Sequence, residues 1–359
     1  MRSFAARVVA WQRIHGRADL PWQGRDPYRV WVSEIMLQQT QVRTVVPYFE
    51  RFMRRLPDLH ALARAPLDEV MRLWAGLGYY SRARNLHACA RQIENACGGL
   101  FPRTAAEIEQ LPGVGQSTAA AIAAFCFDAR VPILDGNVKR VLARHAGLAG
   151  DPATRAAETR LWEHARGLLP SARQMPAYTQ GLMDLGATVC TRAAPACATC
   201  PVRQDCFALS HDCVAELPAP RKRKTTPTRR AWFLLAIEHD AILLEQRPPT
   251  GIWGSLLAPP QFASVKAMRG ALDAMDTDAE MRRLPARKHG FSHFTLAYTP
   301  YLARLGSPRT RVTEPDQRWV RLDDLGATAL PAPIQKLLTD VRALVARENA
   351  RATSTRRAA

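Results

Sequence analysis

The chain has 359 residues, which is enough for two hydrophobic cores, and 47% of them are hydrophobic. No uninterrupted apolar run approaches the roughly twenty residues that a membrane-spanning helix needs, and the first residues show no signal-peptide core, so we expect a cytoplasmic protein. Its 50 Lys and Arg against 32 Asp and Glu give a net charge of +18, which favours a polyanionic partner, nucleic acid above all.

Helical periodicity dominates the first part of the chain. Apolar positions recur at helical spacing in residues 30–40, 67–74 and 117–125, and short segments with Pro and Gly separate such stretches. Alternation typical of strands is scarce there. We therefore predict an all-α domain over residues 1–216.

Within this domain, the segment Leu111–Gly115 stands between two helical stretches. Gly113 and Gly115 leave backbone amides bare at the start of the second stretch, where an anion binds well. A nucleotide-binding P-loop would need a lysine that is missing here, and a dinucleotide fold would need a preceding strand. The pattern instead favours a helix-hairpin-helix, which holds a DNA backbone phosphate without reading sequence; the alternative is a plain turn between helices.

Four cysteines form a compact array, Cys190, Cys197, Cys200 and Cys206, with C-x6-C-x2-C-x5-C spacing. A reducing compartment argues against disulfides. Either a tetrahedral zinc or a cubane iron–sulfur cluster fits four thiolates, and the spacing alone slightly favours zinc as the commoner metal. Unligated core cysteines are the remaining alternative, and Cys213 lies close enough to be mistaken for a ligand.

The composition changes after residue 216. Residues 217–230 contain three prolines and six basic residues, which predicts an exposed linker that contacts DNA phosphates. Alternating residues 231–237 and 241–245 flank a polar turn and predict a β-hairpin, and residues 291–298 predict a further strand.

A closing helix is predicted by five apolar residues on one face, Ile334, Leu337, Leu338, Val341 and Val345. Residues 231–346 therefore make a second, α+β domain. Residues 347–359 are basic and rich in small side chains, and we expect a disordered tail there.

Several long motifs together resemble a known family. The hairpin, the segment Val131–Arg140 and the four cysteines resemble the helix-hairpin-helix base-excision glycosylases that carry a 4Fe–4S cluster. Five further segments resemble the MutY adenine DNA glycosylases in particular, over a match from about residue 5 to residue 345. These segments are Leu20–Trp22, Ser33–Val42, Gly76–Tyr80, Gln246–Gly254 and Phe291–His293.

The resemblance implies an all-α helix-hairpin-helix glycosylase domain with an iron–sulfur cluster loop, followed by a C-terminal α+β nudix-like domain. It also implies a 4Fe–4S cluster on the four cysteines, in place of the zinc that their spacing alone favours. The implied partner is double-stranded DNA with A:8-oxoguanine or A:G mispairs. We accordingly expect a nucleoid-associated monomer.

Removing a base from its sugar calls for an acid at the base and an anion beside the sugar. Glu34 lies in an apolar helix, where burial should keep it protonated, and Asp135 lies at a helix start, where backbone amides should keep it ionised. The resemblance makes Glu34 the proton donor and activator of water, and Asp135 the group that stabilises or attacks the sugar carbon. It adds Asn137, which assists Asp135, and Ser117, which stands where many relatives carry tyrosine.

The resemblance also implies residues that contact DNA. Tyr79 resembles the wedge that is inserted beside the lesion, with Leu77 nearby, while Gln38 and Gln39 resemble residues that hold the strand or base. The glycines of the hairpin hold a phosphate, and the lysine after the catalytic Asp-Gly-Asn segment lies near the backbone. The full set is Gln38, Gln39, Leu77, Tyr79, Gly113, Gly115 and Lys139.

The second domain resembles a nudix fold without its chemistry. A nudix hydrolase needs a Glu-rich helix for Mg²⁺, yet residues 264–272 contain no acidic residue, so pyrophosphate hydrolysis is not expected. By resemblance the domain recognises the 8-oxoguanine opposite the adenine, through Phe291, Ser292 and His293.

Three functions remain to be distinguished. The first is a monofunctional glycosylase that removes adenine opposite 8-oxoguanine or guanine. The second is an endonuclease III-like glycosylase and lyase for oxidised pyrimidines, which Ser117 disfavours because that group has lysine there, as does the added second domain. The third is a non-catalytic, cluster-bearing DNA sensor, which the intact Glu34 and Asp135 disfavour.

Overall fold

The computed structural model describes residues 3–151, 154–219, 226–306 and 315–358. The chain divides into two compact units, of which the first joins Met1–Ala65 with Asn85–Arg223 and the second joins Pro66–Arg84 with Lys224–Ala359. In the described part of the chain no helix is long and apolar enough to cross a membrane.

The elements follow the chain as helices first and a mixed sheet second. The helices are α1 (Phe4–His15), α2 (Pro27–Leu37), α3 (Val42–Arg55), α4 (Leu59–Arg64), α5 (Leu67–Trp74), α6 (Ser81–Cys97), α7 (Ala105–Glu109), α8 (Gln116–Phe127), α9 (Gly136–Ala146), α10 (Arg155–Gly167), α11 (Met175–Asp184), α12 (Phe207–Ser210), α13 (Val265–Met275) and α14 (Ala332–Ala358). The strands are β1 (Thr228–Glu238), β2 (Ala241–Gln246), β3 (Leu257–Ala258), β4 (Gln261–Phe262), β5 (Met281–Arg283), β6 (Arg287–Gly290), β7 (Thr295–Leu305) and β8 (Gln317–Arg321).

The described residues of the first unit form helices joined by loops and no strand, as the sequence predicts. Its centre is α8, whose small side chains from Ala119 to Ala124 are all buried and allow α2, α7 and α11 to pack closely around it. A second apolar cluster joins α1, α9 and α11 through residues such as Val8, Leu142 and Tyr178. This cluster holds α9 and α11 in fixed positions beside α8.

The second unit is built on one eight-stranded mixed sheet. Five strands follow the order β3-β2-β1-β7-β5, and the other three extend it, since β4 pairs with β1, β6 with β7 and β8 with β2. Strands β1 and β7 pair in parallel over their full 11-residue lengths, and the predicted hairpin of β1 and β2 is present. Helix α13 packs against β1 and β4. The predicted apolar face of α14 is buried, since none of its five residues is more than 3% exposed.

Two strand boundaries differ from the sequence prediction. β7 begins at Thr295, while Phe291–Phe294 forms a turn in which the Phe291 amide donates to the Phe294 carbonyl at 2.8 Å. The two phenyl rings stack within this turn, so aromatic content there reflects ring packing rather than a strand. β1 begins at Thr228, inside the predicted linker, and residues 220–225 of that linker lie outside the described residues.

The end of the chain also differs, because α14 continues through Ala358 across the predicted disordered tail. Glu348 forms ion pairs with Arg282 at 2.7 Å and with Arg304 at 2.9 Å, and Arg304 also donates to Asn349 at 3.0 Å. These contacts attach the helix to β5 and β7 past the point where its apolar pattern ends.

Candidate active site

Helix α2 places Glu34 at the wall of a cavity. Asp26 caps the helix by accepting hydrogen bonds from the amides of Tyr28 and Arg29, and Pro27 supplies a preset first residue. Glu34 is half-buried, two turns further along, and lines a cavity of about 340 Å³ in the first unit. The cavity is also lined by Gln12, Trp22, Gln23, Gly24, Arg25, Val30, Ser33, Phe125, Pro176, Ala177 and Gln180.

This environment changes the acidity of Glu34. Loss of hydration, and to a smaller extent the negative charge of Asp135, together raise its pKa from 4.5 to about 8. The side chain is therefore protonated at neutral pH, as the apolar pattern of its helix predicts.

Asp135 begins helix α9 as the sequence predicts. Its carboxylate accepts from the Val138 amide at 2.7 Å, and the amide of Asn137 and the charges of Arg140 and Lys139 also favour its ionised form. Burial nevertheless outweighs these contributions and raises the net pKa above its usual value. The amides thus act in the predicted direction by favouring the ionised form, but the sequence does not show how much water the carboxylate loses.

Ser117 contacts the segment that precedes Asp135. Its Oγ accepts a hydrogen bond from the Leu134 amide at 3.0 Å, so the first turn of α8 holds the chain at the entrance to α9. The structure thus places Ser117 one residue from Asp135 along this contact.

Asn137 and Lys139 each have a partner other than Asp135. The Asn137 Oδ1 accepts from Arg140 at 3.0 Å, and its Cβ lies against Gly186, where an added Cβ would come within 2.6 Å. Lys139 forms an ion pair with Glu158 at 2.6 Å, which makes its predicted contact with DNA dependent on breaking that pair.

A second polar group in the cavity is held by a buried ion pair. Asp184 is 1% exposed and pairs with Arg17 at 2.6 Å, and the Gln180 Nε2 donates to the same carboxylate at 2.9 Å. This bond uses one N–H of the Gln180 amide, so its second N–H and its oxygen can pair with a ligand in the cavity. Sequence reasoning missed these residues, since Arg17 and Asp184 are 167 positions apart.

The predicted hairpin connects α7 to α8. Gly113 has φ +78°, which favours glycine, and a Cβ there would come within 2.8 Å of Asn85. Gly115 caps α8 without a side chain, and a Cβ there would meet nothing within 4 Å. The start of α8 therefore presents backbone amides in an open position, which suits an anion. The Thr104–Glu107 capping box fixes the start of α7.

Gln38 and Gln39 follow the last turn of α2. Gln38 is the C-terminal cap and is half-buried, whereas Gln39 is exposed and has φ +56°. They lie just beyond the helix that carries Glu34.

The segment Gly76–Tyr80, here called the wedge loop, belongs to the second unit. Tyr79 is 46% exposed with φ +49°, whereas Leu77 is 6% exposed. The structure therefore leaves Tyr79 accessible to DNA but buries the Leu77 side chain, so the prediction that Leu77 contacts DNA is not supported by its position. Tyr80 is half-buried, and its hydroxyl accepts from the Gly76 amide at 3.2 Å.

All four predicted metal-binding cysteines line one cavity of the first unit. Burial, together with the charges of the other three cysteines, raises the pKa of Cys200 to about 11. Cys213 does not line the cavity. Among the described residues, no three or more His, Cys, Asp or Glu side chains surround a position for a single metal ion. Four thiols that line one cavity are a donor set for either a tetrahedral zinc or a cubane iron–sulfur cluster.

Phe291, Ser292 and His293 lie in the turn before β7, here called the recognition turn (Phe291–Phe294). Ser292 and His293 are exposed, while Phe291 is half-buried and stacks on Phe294 with ring centroids 4.5 Å apart. The turn therefore presents two polar side chains on an aromatic base.

Helix α13 contains most of the acid-free residues 264–272, where a nudix hydrolase would need a Glu-rich helix. Its single acidic residue, Asp273, lies beyond the acid-free stretch and pairs with Arg269 at 3.8 Å. A lone, ion-paired carboxylate does not provide the oxygen ligands that Mg²⁺ requires.

Two relatives illustrate the similarity over nearly the whole chain. The adenine DNA glycosylase of Buchnera aphidicola subsp. Baizongia pistaciae (strain Bp) is 34% identical over 342 residues, which cover 94% of this chain and 97% of that protein. The adenine DNA glycosylase of Homo sapiens is 33% identical over 405 residues, covering 93% of this chain and 73% of that protein.

Family and fold comparisons agree with the two-part organisation. Residues 32–166 match the HhH-GPD superfamily base excision DNA repair protein family, and residues 231–340 match the NUDIX domain family. A solved structure of a thermostable thymine-DNA glycosylase is similar with a TM-score of 0.53 at 29% identity, covering 58% of this chain and 95% of that one.

The raised pKa of Glu34 has a consequence for stability. Because its folded-state pKa of about 8 exceeds its ordinary 4.5, the wild type should lose stability as the pH rises between these values. Glu34→Gln removes this loss. In urea denaturation, we expect the variant's free energy of unfolding to equal that of wild type at about pH 5 and to exceed it by on the order of 2 kcal/mol at about pH 9.

Glu163, an exposed glutamate of α10, provides the matched control. Glu163→Gln should leave the difference between the two pH values unchanged. A Glu34→Gln variant that is no more stable than wild type at the higher pH would show that the Glu34 carboxyl is well hydrated.

Proposed function

We propose, because this chain belongs to the adenine DNA glycosylase family, that it excises adenine paired with 8-oxoguanine or guanine in double-stranded DNA, by hydrolysis and without cutting the strand. The observation that carries this proposal is a carboxyl group held protonated at neutral pH in a base-sized cavity, with a second carboxylate acting on it.

The first step is departure of the base. Glu34 transfers its proton to a ring nitrogen of adenine while the bond between the sugar carbon and the base breaks, and the bonding pair leaves with the neutral adenine. The sugar becomes an oxocarbenium-like cation, and Glu34 is left as a carboxylate. A pKa of about 8 matches this role, since the acid is protonated at neutral pH yet able to release its proton.

The second step is addition of water. Asp135 stabilises the cationic sugar through its negative charge, and the amides and cations that favour its ionised form maintain that charge. The Glu34 carboxylate removes a proton from water, whose oxygen bonds to the sugar carbon. The products are free adenine and an intact strand with an abasic site, and Glu34 is again protonated.

Two residues position Asp135, and a third is placed to contact the base. Ser117 holds the Leu134 amide, and Asn137 lies on the first turn of the helix that Asp135 begins, so both fix the direction of Asp135. Gln180, oriented by Asp184, offers its oxygen to the exocyclic amino group of adenine.

The adenine must leave the base stack to reach the cavity. The exposed ring of Tyr79 is suited to fill the space that it vacates, and Gln38 and Gln39 lie beside the cavity helix where the strand passes. The amides at Gly113 and Gly115 suit a backbone phosphate, and Lys139 can add a charge when it leaves Glu158. Leu77 supports this loop from within.

Ser292 and His293 are placed to recognise the base opposite the adenine. They are exposed on the recognition turn and carry hydrogen-bonding groups, and the Phe291 ring beneath them limits their movement. Contacts of this kind distinguish bases by about 1–3 kcal/mol each. The turn is therefore suited to favour 8-oxoguanine over guanine.

The four cysteines would hold a 4Fe–4S cluster, by the family likeness and because all four thiols line one cavity. When bound, the cluster supplies a structural crosslink between the segments that carry its ligands. The Arg144 Nη1 lies 3.3 Å from the Cys190 Sγ and would donate to this ligand.

Substitution of Glu34 tests the proposed chemistry. Glu34→Gln should bind a duplex with A:8-oxoguanine as well as wild type does but release adenine at least a hundredfold more slowly, because the amide has no proton to transfer. In wild type, single-turnover excision should fall as the pH rises through about 8, where Glu34 loses that proton. Alkali treatment and strand separation measure the abasic product.

Glu163→Gln again serves as the control and should excise adenine at the wild-type rate. Excision by Glu34→Gln within tenfold of wild type would refute the assignment of Glu34 as the acid. Absence of wild-type excision from both A:8-oxoguanine and A:G duplexes would refute the proposed function.

Substitution of one cysteine tests the cluster. Cys200→Ser should lose iron, sulfide and the brown visible absorbance, because an alcohol is a much poorer ligand than a thiolate. Cys213→Ser should retain all three, since Cys213 lies outside the cavity. Elemental analysis of anaerobically purified wild type that finds stoichiometric zinc and no iron would contradict the cluster.

Borohydride trapping tests the absence of lyase activity. Wild type should form almost no covalent adduct with A:8-oxoguanine duplex, because Ser117 offers no amine to the sugar carbon. Ser117→Lys introduces an amine beside the segment that leads to Asp135, so we expect a borohydride-trapped Schiff base in that variant. A strong wild-type adduct would instead indicate the endonuclease III-like reaction.

A further inference from the structure

The wedge loop belongs to the same compact unit as the recognition turn. The second unit combines Pro66–Arg84 with Lys224–Ala359, although Asn85–Arg223 of the first unit separates these two segments in the sequence. The proposed function places Tyr79 and the recognition turn on opposite strands of DNA. Both are thus parts of one compact unit.

The position of Tyr79 is set by the first turn of α6. The Tyr79 carbonyl accepts from the Arg82 amide at 2.9 Å, and the Arg82 guanidinium lies 5.4 Å from the Tyr79 ring centroid. Arg82 also donates to the Gly78 carbonyl at 3.1 Å, and the Arg84 amide donates to the Tyr80 carbonyl at 3.3 Å. A displacement of α6 at this turn would therefore move the wedge loop with it.

Arg84 extends from the same turn to the C-terminal domain. Its Nη1 donates to the Gly254 carbonyl at 2.8 Å, and the side chain is half-buried. The acceptor is rigid, because the Arg247 amide donates to Leu256 at 2.8 Å, and a Cβ on Gly254 would come within 2.4 Å of the Pro249 carbonyl. The hydrogen bond thus connects two elements of fixed shape.

Gly254 is adjacent to the aromatic base of the recognition turn. The Trp253 side chain is 5% exposed, and its ring centroid lies 6.0 Å from that of Phe291 and 6.3 Å from that of His289. Phe291 in turn stacks on Phe294. Continuous contacts therefore run from Tyr79 through Arg84 and Trp253 to the turn.

We propose that Arg84 is a positioning residue that couples the wedge loop to the recognition turn, so that contact with 8-oxoguanine and insertion of Tyr79 occur together. This inference rests on the proposed function. Engagement of 8-oxoguanine holds the turn and, through Trp253 and the Gly254 carbonyl, holds Arg84 and the wedge loop in the inserted position. Guanine makes fewer contacts with the turn, so excision of an adenine opposite guanine gains less from the connection.

A second arginine offers a matched control. Arg318 also joins the two parts of this unit, through Asp68 at 3.6 Å, but both side chains are about half exposed. Water and salt weaken such a pair, whereas a half-buried charged donor on a fixed carbonyl forms a stronger bond. Substituting each arginine in turn therefore distinguishes loss of the specific Arg84 hydrogen bond from a general loss of positive charge.

The experiment measures single-turnover excision by the full chain from A:8-oxoguanine and A:G duplexes. Arg84→Met, which keeps the length of the side chain, should slow excision opposite 8-oxoguanine about tenfold and leave excision opposite guanine within about twofold of wild type. Arg84→Lys should recover part of the loss, since it retains one donor. Arg318→Met should change neither rate.

A double substitution tests coupling rather than structural support. The double variant with Arg84→Met and Phe291→Ala should prefer A:8-oxoguanine over A:G as strongly as the single variant with the weaker preference, because both substitutions remove the same connection. Equal losses on both duplexes, additive losses in the double variant or unchanged discrimination in Arg84→Met would each overturn the proposal. If wild type itself does not prefer 8-oxoguanine, the proposed recognition fails and this inference with it; if wild type discriminates and Arg84→Met does equally well, only the coupling fails.

Discussion

The buried guanidinium of Arg144 is the interaction on which the helical domain most depends. A buried charge is tolerated only when its N–H groups are paired, and Arg144, 3% exposed, donates to Leu217 at 2.7 Å and Thr191 at 2.8 Å. It also reaches the Arg192 carbonyl and the Cys190 sulfur, each at 3.3 Å. The chain around the cysteines must therefore fold back onto α9, since moving it away would strand the charge.

Helix α9 carries this constraint to the catalytic carboxylate. Asp135 caps its first turn, Arg140 projects from its middle, and Arg144 lies near its end. Arg140 donates to the carbonyls of Gly186 and Cys190 at 2.6 and 2.7 Å and to Asn137 at 3.0 Å. Helix α9 thus connects Asp135 to the cysteine segment. A shift of that segment would move Arg140 and, through it, Asn137, which lies two residues from Asp135.

The features that the sequence predicts well are those that depend on neighbours along the chain. Helix α5 spans residues 67–74 as its apolar spacing indicates, and the raised pKa of Glu34 follows from apolar residues in its own helix. The buried pair of Arg17 and Asp184 could not be predicted, since its partners meet only after the whole domain has folded. The inclusion of residues 66–84 in the second unit is likewise a tertiary property without a local pattern.

Burial alone does not distinguish the two carboxylates, because loss of water raises the pKa of both. Their partners distinguish them. Glu34 experiences burial and the charge of Asp135, which act in the same direction, whereas Asp135 has the amides of Asn137 and Val138 and two cations that favour its ionised form. The ionised Asp135 in turn disfavours ionisation of Glu34. A helix start beside an apolar helix is therefore sufficient to produce one acid and one anion in the same domain interior, and exchanging the two residue types between these positions would not exchange their roles.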